Sequence, residues 1–185
     1  MKNQRIHGLS PVTVGLGVYI VVSASFMLQV NLWLTAKVGN PFLFRSFWVA
    51  ALIVLTASIA YAFGMRLGAL RILAVISVLA LAYVLGLWQT YFEEKTHILM
   101  YGLLGFLAAM DLAGSAGTNK LKYITMAVSF VALVSAGDEI FQLILPYRFG
   151  DFKDFMTNVL GGALGIAMFL ALKRRAGKFR IMGNP

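Results

Sequence analysis

Long apolar stretches between short polar connections restrict the fold of this chain more than any other feature of its sequence. A helix that crosses the hydrocarbon core of a bilayer needs about 20 apolar residues. Six stretches approach or exceed that length, at residues 11–36, 47–64, 72–92, 96–113, 123–145 and 155–172. The chain is 60% hydrophobic and 12% charged, whereas soluble domains are about 45–50% apolar and about 25% charged. The sequence therefore predicts an all-α, polytopic transmembrane bundle of about six spans, forming one integral membrane domain.

The positions of lysine and arginine predict the orientation of these spans. If the N-terminus is inside the cell, cytoplasmic segments contain 11 of the 16 basic residues and outer segments contain 5. The positive-inside rule favours this arrangement. Both termini are therefore predicted to be cytoplasmic, in a multi-pass protein of the cell inner (cytoplasmic) membrane. An alternative for the first stretch is a cleaved signal peptide, since Lys2 and Arg5 precede it.

The net charge of +9 does not indicate nucleic acid here, because the basic residues lie between and after apolar stretches. The chain has no cysteine, which excludes disulfides, thiol nucleophiles and thiolate metal sites. A metal held by His97 with Asp138 or Glu139 is a less favoured alternative, because no dense ligand motif accompanies them. No metal and no cofactor are therefore expected.

The seven acidic residues are unevenly distributed. Six lie on the predicted outer side, and only Asp111 lies near the inner face. Charged side chains inside a span are costly, so those retained usually face a polar cavity, a partner or a pathway. Gln142 lies at i+4 from Asp138 and at i+3 from Glu139, so these three residues share one helix face. We therefore predict a polar face on the outer half of the fifth span.

Two neighbouring spans carry similar polar faces at the same level. His97 and Tyr101 are spaced i,i+4 in the fourth span, and Asp154 and Asn158 have that spacing in the sixth. Arg148, in the connection between the fifth and sixth spans, can reach a carboxylate or bind a phosphate bidentately. Three helix ends are thus predicted to bring polar groups together. The small residues Gly161, Gly162, Ala163 and Gly165 predict close helix packing below them.

These residues follow the pattern of a known family. The downstream pattern is D-E-x-x-Q, an arginine, and D-x-x-x-N-x-x-x-G, formed by Asp138, Glu139, Gln142, Arg148, Asp154, Asn158 and Gly162. It resembles the VanZ-like membrane protein family over about residues 90–170, with residues 1–70 outside the resemblance. An upstream family motif is similar to Glu94, Lys95, His97 and Tyr101, although only Thr96 separates the lysine from the histidine where the family commonly has two residues.

The resemblance implies a bacterial cell-envelope membrane protein. The founding member of the family is associated with reduced susceptibility to the glycopeptide antibiotic teicoplanin. The resemblance implies no particular reaction, and many members have no link to antibiotics.

Two main hypotheses for function follow. In the first, an outward-facing polar site binds or acts on a lipid-linked molecule with a phosphate or sugar headgroup. Glu139 or Asp138 would be the general base and His97 the proton shuttle. Binding would be by Arg148, Gln142, Asp154, Asn158, Tyr101 and Lys95. In the second, the polar residues join helices of a non-catalytic structural or accessory subunit, with Arg148 bridging Asp154 and Glu139.

An ion-coupled transporter is less favoured. The inner half of the bundle offers only Asp111, so no polar path crosses the membrane. The expected partners are membrane lipids or a lipid-linked envelope molecule, and other membrane subunits, without nucleic acid.

Overall fold

The computed structural model describes residues 8–64, 67–115, 119–148 and 150–173, and within them the fold is entirely helical. The helices are α1 (Pro11–Ser23), α2 (Met27–Val38), α3 (Asn40–Gly64), α4 (Ala69–Leu87), α5 (Phe92–Ser115), α6 (Lys120–Ile144) and α7 (Phe152–Leu172). By length and composition α3 to α7 can each cross a membrane, and α1 with α2 forms a sixth span if the bent pair is counted as one. The predicted helical membrane fold is confirmed.

The first predicted span, residues 11–36, is broken in the structure. α1 and α2 differ in direction by 70°. Between them the hydroxyls of Ser23 and Ser25 donate to the carbonyl groups of Ile20 and Val22, both at 2.7 Å. Such local hydrogen bonds compete with the helical backbone pattern and bend helices. The structure therefore corrects the prediction of an uninterrupted first span.

Contacts at its two ends place α1 along the length of the bundle. At its start, the backbone N–H of Ser10 and the hydroxyl of Thr13 donate to the carboxylate of Asp111 in α5, at 2.8 and 2.7 Å. Beyond its end, the hydroxyl of Tyr147 donates to the carbonyl of Ser25 at 2.7 Å. Because Tyr147 follows α6, α1 runs from the end of the bundle where α5 finishes to the end where α6 finishes. Asp111 thus has a structural role as an anchor for α1.

α5 and α7 pack against each other at the centre of the bundle through glycine. A Cβ atom on Gly165 would overlap the backbone carbonyl of Gly102, and one on Gly161 would lie 3.2 Å from a backbone oxygen of α5. Small residues allow helix backbones to approach this closely. The predicted packing is confirmed for Gly161, Gly162 and Gly165, which are buried, whereas Ala163 is exposed. This close contact brings the first turns of α5 and α7 side by side.

Candidate functional site

A polar cavity of about 360 Å³ lies at the end of the bundle where α6 finishes and where α5 and α7 begin. Its lining residues come from four helices and two connections: Leu28, Tyr91, Glu94, His97, Gln142, Tyr147, Arg148, Asp151, Asp154, Thr157 and Asn158. Five of the residues predicted to form a site therefore line one cavity, namely His97, Gln142, Arg148, Asp154 and Asn158. The convergence of the three helix ends is present in the structure.

Asp138 and Tyr101 lie in the interior of the bundle and are not among the lining residues. The Tyr101 hydroxyl donates to Asp138 Oδ2 at 3.1 Å, and the two residues are 0% and 1% exposed. This hydrogen bond joins α5 to α6. His97 and Arg148 are within electrostatic range of the Asp138 carboxylate. Asp138 therefore lies between two cavity-lining residues and the core of the bundle.

Glu139 joins α6 to the beginning of α7. Its Oε2 accepts a hydrogen bond from the backbone N–H of Asp151 at 2.9 Å, and its Oε1 accepts one from the Asn158 side-chain amide at 3.5 Å. Glu139 is 8% exposed and is not among the lining residues. Asp151 in turn accepts from the backbone N–H of Lys153 at 2.9 Å and so caps the N-terminus of α7. Glu139 thus positions the segment that carries Asp151 and Asp154.

Glu94 lines the cavity. It belongs to the upstream sequence motif but was not among the predicted site residues. Its carboxylate accepts from the backbone N–H groups of Thr90 and Tyr91 at 2.8 and 3.1 Å. It also forms an ion pair with Lys153 at 3.6 Å. An acidic residue in the first turn is a recognised signal for a helix N-terminus, and here it predicts the local role of Glu94.

Arg148 lines the cavity without an ion pair. Within residues 8–64, 67–115, 119–148 and 150–173, no carboxylate oxygen lies within 4.0 Å of its guanidinium. Its Nε atom is buried and has no hydrogen-bond partner in that part of the chain. The bridge from Arg148 to Asp154 or Glu139, expected under the structural hypothesis, is therefore not formed there.

Lys95 lies away from the cavity, in contrast to its expected place beside Arg148. Its Nζ donates to the carbonyl of Gly86 at 2.7 Å and to that of Gln89. The same atom lies 5.4 and 5.9 Å from the ring centres of Phe44 and Trp48, distances at which cations are attracted to aromatic rings. Lys95 is 5% exposed and caps the C-terminal end of α4. The structure corrects its expected position among the headgroup-binding residues.

The metal alternative gains no support from the side-chain arrangement. In the described ranges, no three His, Asp or Glu side chains are grouped so that they could hold a metal ion.

The fold and the cavity define a class: a polytopic α-helical membrane protein with a charged cavity at one end of its bundle. The model of the VanZ/LLP1 family matches residues 12–173. The chain therefore belongs to the VanZ/LLP1 family. This match includes the first two spans, which the resemblance over residues 90–170 left out. No curated protein and no solved structure matches the chain.

Proposed function

We propose that this VanZ/LLP1-family protein binds the phosphate-bearing headgroup of a lipid-linked cell-envelope molecule in its polar cavity. The observation that carries the proposal is that Arg148 lines this cavity and its guanidinium has no ion-pair partner among the described residues. Its Nε is buried without a hydrogen-bond partner in that part of the chain, and a buried polar group is costly unless it is paired. A phosphate would supply that partner, because its oxygens accept two parallel N–H bonds from arginine.

The surroundings of Arg148 also suit a phosphate. The N-termini of α5 and α7, which lie beside the cavity, are already capped by the carboxylates of Glu94 and Asp151, so further donors must come from side chains. Gln142 and His97 line the same space and offer side-chain N–H groups. Phosphate oxygens could therefore be bound from more than one side.

The membrane level of the cavity supports a lipid ligand. It lies near the ends of long apolar helices, which is the level at which lipid headgroups meet a transmembrane bundle. The count of basic residues predicts that this end faces the outside of the cell. An outward-facing position would expose the cavity to envelope lipids of the outer leaflet.

The proposal is for binding, because the carboxylates expected to act in catalysis are engaged elsewhere. Asp138 accepts a hydrogen bond from Tyr101, and Glu139 accepts from Asp151 and Asn158. A general base must reach the proton that it removes. Of the three residues expected in catalysis, His97 alone is among those that line the cavity.

The alternative function is that of a structural or accessory subunit. The observation in its favour is that the buried carboxylates of Asp138 and Glu139 join α6 to α5 and α7. Polar pairs of this kind between transmembrane helices stabilise a bundle by about 0.6 kcal/mol on average. This role accounts for Asp138 and Glu139 but leaves the Arg148 guanidinium without an ion pair among the described residues, so we favour headgroup binding.

A binding measurement with one charge removed tests the proposal. The protein would be purified in detergent, and native mass spectrometry would compare a polyisoprenyl phosphate with the polyisoprenol of the same chain length. We expect tighter binding of the phosphate, and Arg148→Gln should weaken it about tenfold, the equivalent of about 1.4 kcal/mol. Arg45→Gln is the matched control, because Arg45 is exposed, lies on the same predicted side and does not line the cavity.

A stability measurement on the same variants makes the result decisive. Thermal unfolding of each variant shows whether Arg148→Gln has preserved the fold. If a folded Arg148→Gln variant binds the phosphate as tightly as the unmodified protein does, the proposal fails and the subunit role is favoured.

A further inference from the structure

We infer that the headgroup bound in the cavity carries a protonated amine together with its phosphate, so that the ligand is an aminoalkyl phosphate ester. This inference rests on the proposed function. It follows from which charged side chains of the cavity lining have partners and which do not.

Two of the three acidic residues in the lining already have partners. Glu94 accepts from two backbone N–H groups and pairs with Lys153. Asp151 accepts from the backbone N–H of Lys153 at the start of α7. A carboxylate at a helix N-terminus is stabilised by the partial positive charge there. Neither of these residues requires a ligand.

Asp154 is different. It lines the cavity and is half-buried, yet its carboxylate has no hydrogen bond or ion pair with any described residue. Its electrostatic neighbours include the like charges of Glu94 and Asp151. His97 and Lys153 are also within electrostatic range, but neither lies within 4.0 Å. A half-buried carboxylate beside two others is stabilised by a cation in the open space that it faces.

Arg148 and Asp154 therefore remain as one cation and one anion that face a shared cavity. They do not pair with each other, since no atoms of theirs meet within 4.0 Å. A single ligand with a phosphate against Arg148 and an ammonium against Asp154 would complement both. Tyr91 and Tyr147 also line the space, and aromatic rings attract alkylammonium groups. A plain phosphate would leave Asp154 without a cation and would add to the negative charge around it.

The test compares two phospholipids with identical acyl chains, phosphatidylethanolamine and phosphatidic acid, which differ by the aminoethyl group. Native mass spectrometry of the purified protein in detergent would give the ratio of their affinities. We expect the unmodified protein to bind phosphatidylethanolamine about tenfold more tightly, since the charge-assisted hydrogen bond from the ammonium to Asp154 outweighs the cost of removing the ammonium from water. Asp154→Asn, which keeps the shape and removes the charge, should abolish that preference.

Matched variants separate this inference from the proposed function. Asp111→Asn removes a carboxylate at the opposite end of the bundle and should leave the preference unchanged. Asp154→Glu restores the charge and should restore part of the preference, which a merely structural role for Asp154 would not explain. Arg148→Gln should weaken both lipids.

The variants of Asp154 and of Arg148 give different results when the inference fails and when the proposed function fails. If folded Asp154→Asn keeps the tenfold preference, or if the unmodified protein favours phosphatidic acid, the inference is overturned while phosphate binding by Arg148 stands. If Arg148→Gln leaves the binding of both lipids unchanged, the proposed function fails and the inference fails with it.

Discussion

Replacing Gly165 with alanine should destabilise the protein because it separates α5 from α7. The new Cβ would overlap the backbone carbonyl of Gly102, and a backbone group in a helix cannot rotate away as a flexible side chain can. Overpacking of a filled interior costs about 1–3 kcal/mol, and we expect the upper part of that range. The change should also move the first turns of α5 and α7 apart, so that His97 and Asn158 no longer line one cavity.

The matched control is Gly15→Ala in α1. A Cβ at Gly15 would have no atom within 4 Å, and glycine and alanine differ in helix propensity by about 1 kcal/mol in favour of alanine. Because both substitutions gain this propensity, the difference between the two variants isolates the overlap. We expect Gly165→Ala to be less stable than Gly15→Ala by about 2–3 kcal/mol, on the basis of the overpacking range.

The assay is reversible unfolding of the purified protein by sodium dodecyl sulfate in mixed micelles, followed by the fluorescence of its three tryptophans. If the two variants differ by less than about 0.5 kcal/mol, the usual range for substitutions without a structural effect, the close contact between α5 and α7 is refuted.

Three further predictions concern the ends of the bundle. Lys95→Met should lower the stability by about 1–3 kcal/mol, because two carbonyls at the end of α4 lose their donor. Lipid binding in the cavity should be retained, and loss of binding at unchanged stability would contradict this assignment. Asp111→Ala should release the start of α1, so that a single cysteine at Leu9 reacts faster with maleimide than it does with Asp111 intact; equal rates would exclude the anchor. For orientation, cysteines at Phe152 and Leu121 are equally exposed, at 75% each, and an impermeant maleimide added to cells should label the first alone; the reverse pattern would place the cavity in the cytosol.

Some features of the site follow from helical periodicity and were therefore predictable. Asp138, Glu139 and Gln142 are all buried on one side of α6, as their spacing indicates. Helical periodicity also explains why the predicted position of Lys95 in the cavity was wrong. Residues two positions apart do not face each other on a helix, so Lys95 cannot share the face of His97. The sequence motif placed both residues together because it is read along the chain and not around the helix.

Other features depend on contacts between distant parts of the chain. Leu28 lines the cavity because α2 turns away from α1 by 70°, and apolar composition alone contains no signal for that angle. The pairing of charges is equally non-local. Lys153 precedes the sixth predicted span, and the structure pairs it with Glu94 from another helix. Within the part of the chain that the structure describes, Arg148 and Asp154 form no ion pair.

The sequence by itself determined that the chain is a bundle of transmembrane helices, because a bilayer offers no water to satisfy unpaired backbone groups and long apolar stretches must therefore be helical. It also determined which polar residues belong to the same helix face. Only the tertiary structure decided which of those residues line a common cavity and which form hydrogen bonds between helices. The physical reason is that a hydrogen bond or ion pair acts over a few ångströms, and such distances between helices are set by packing at positions such as Gly165 and Gly102.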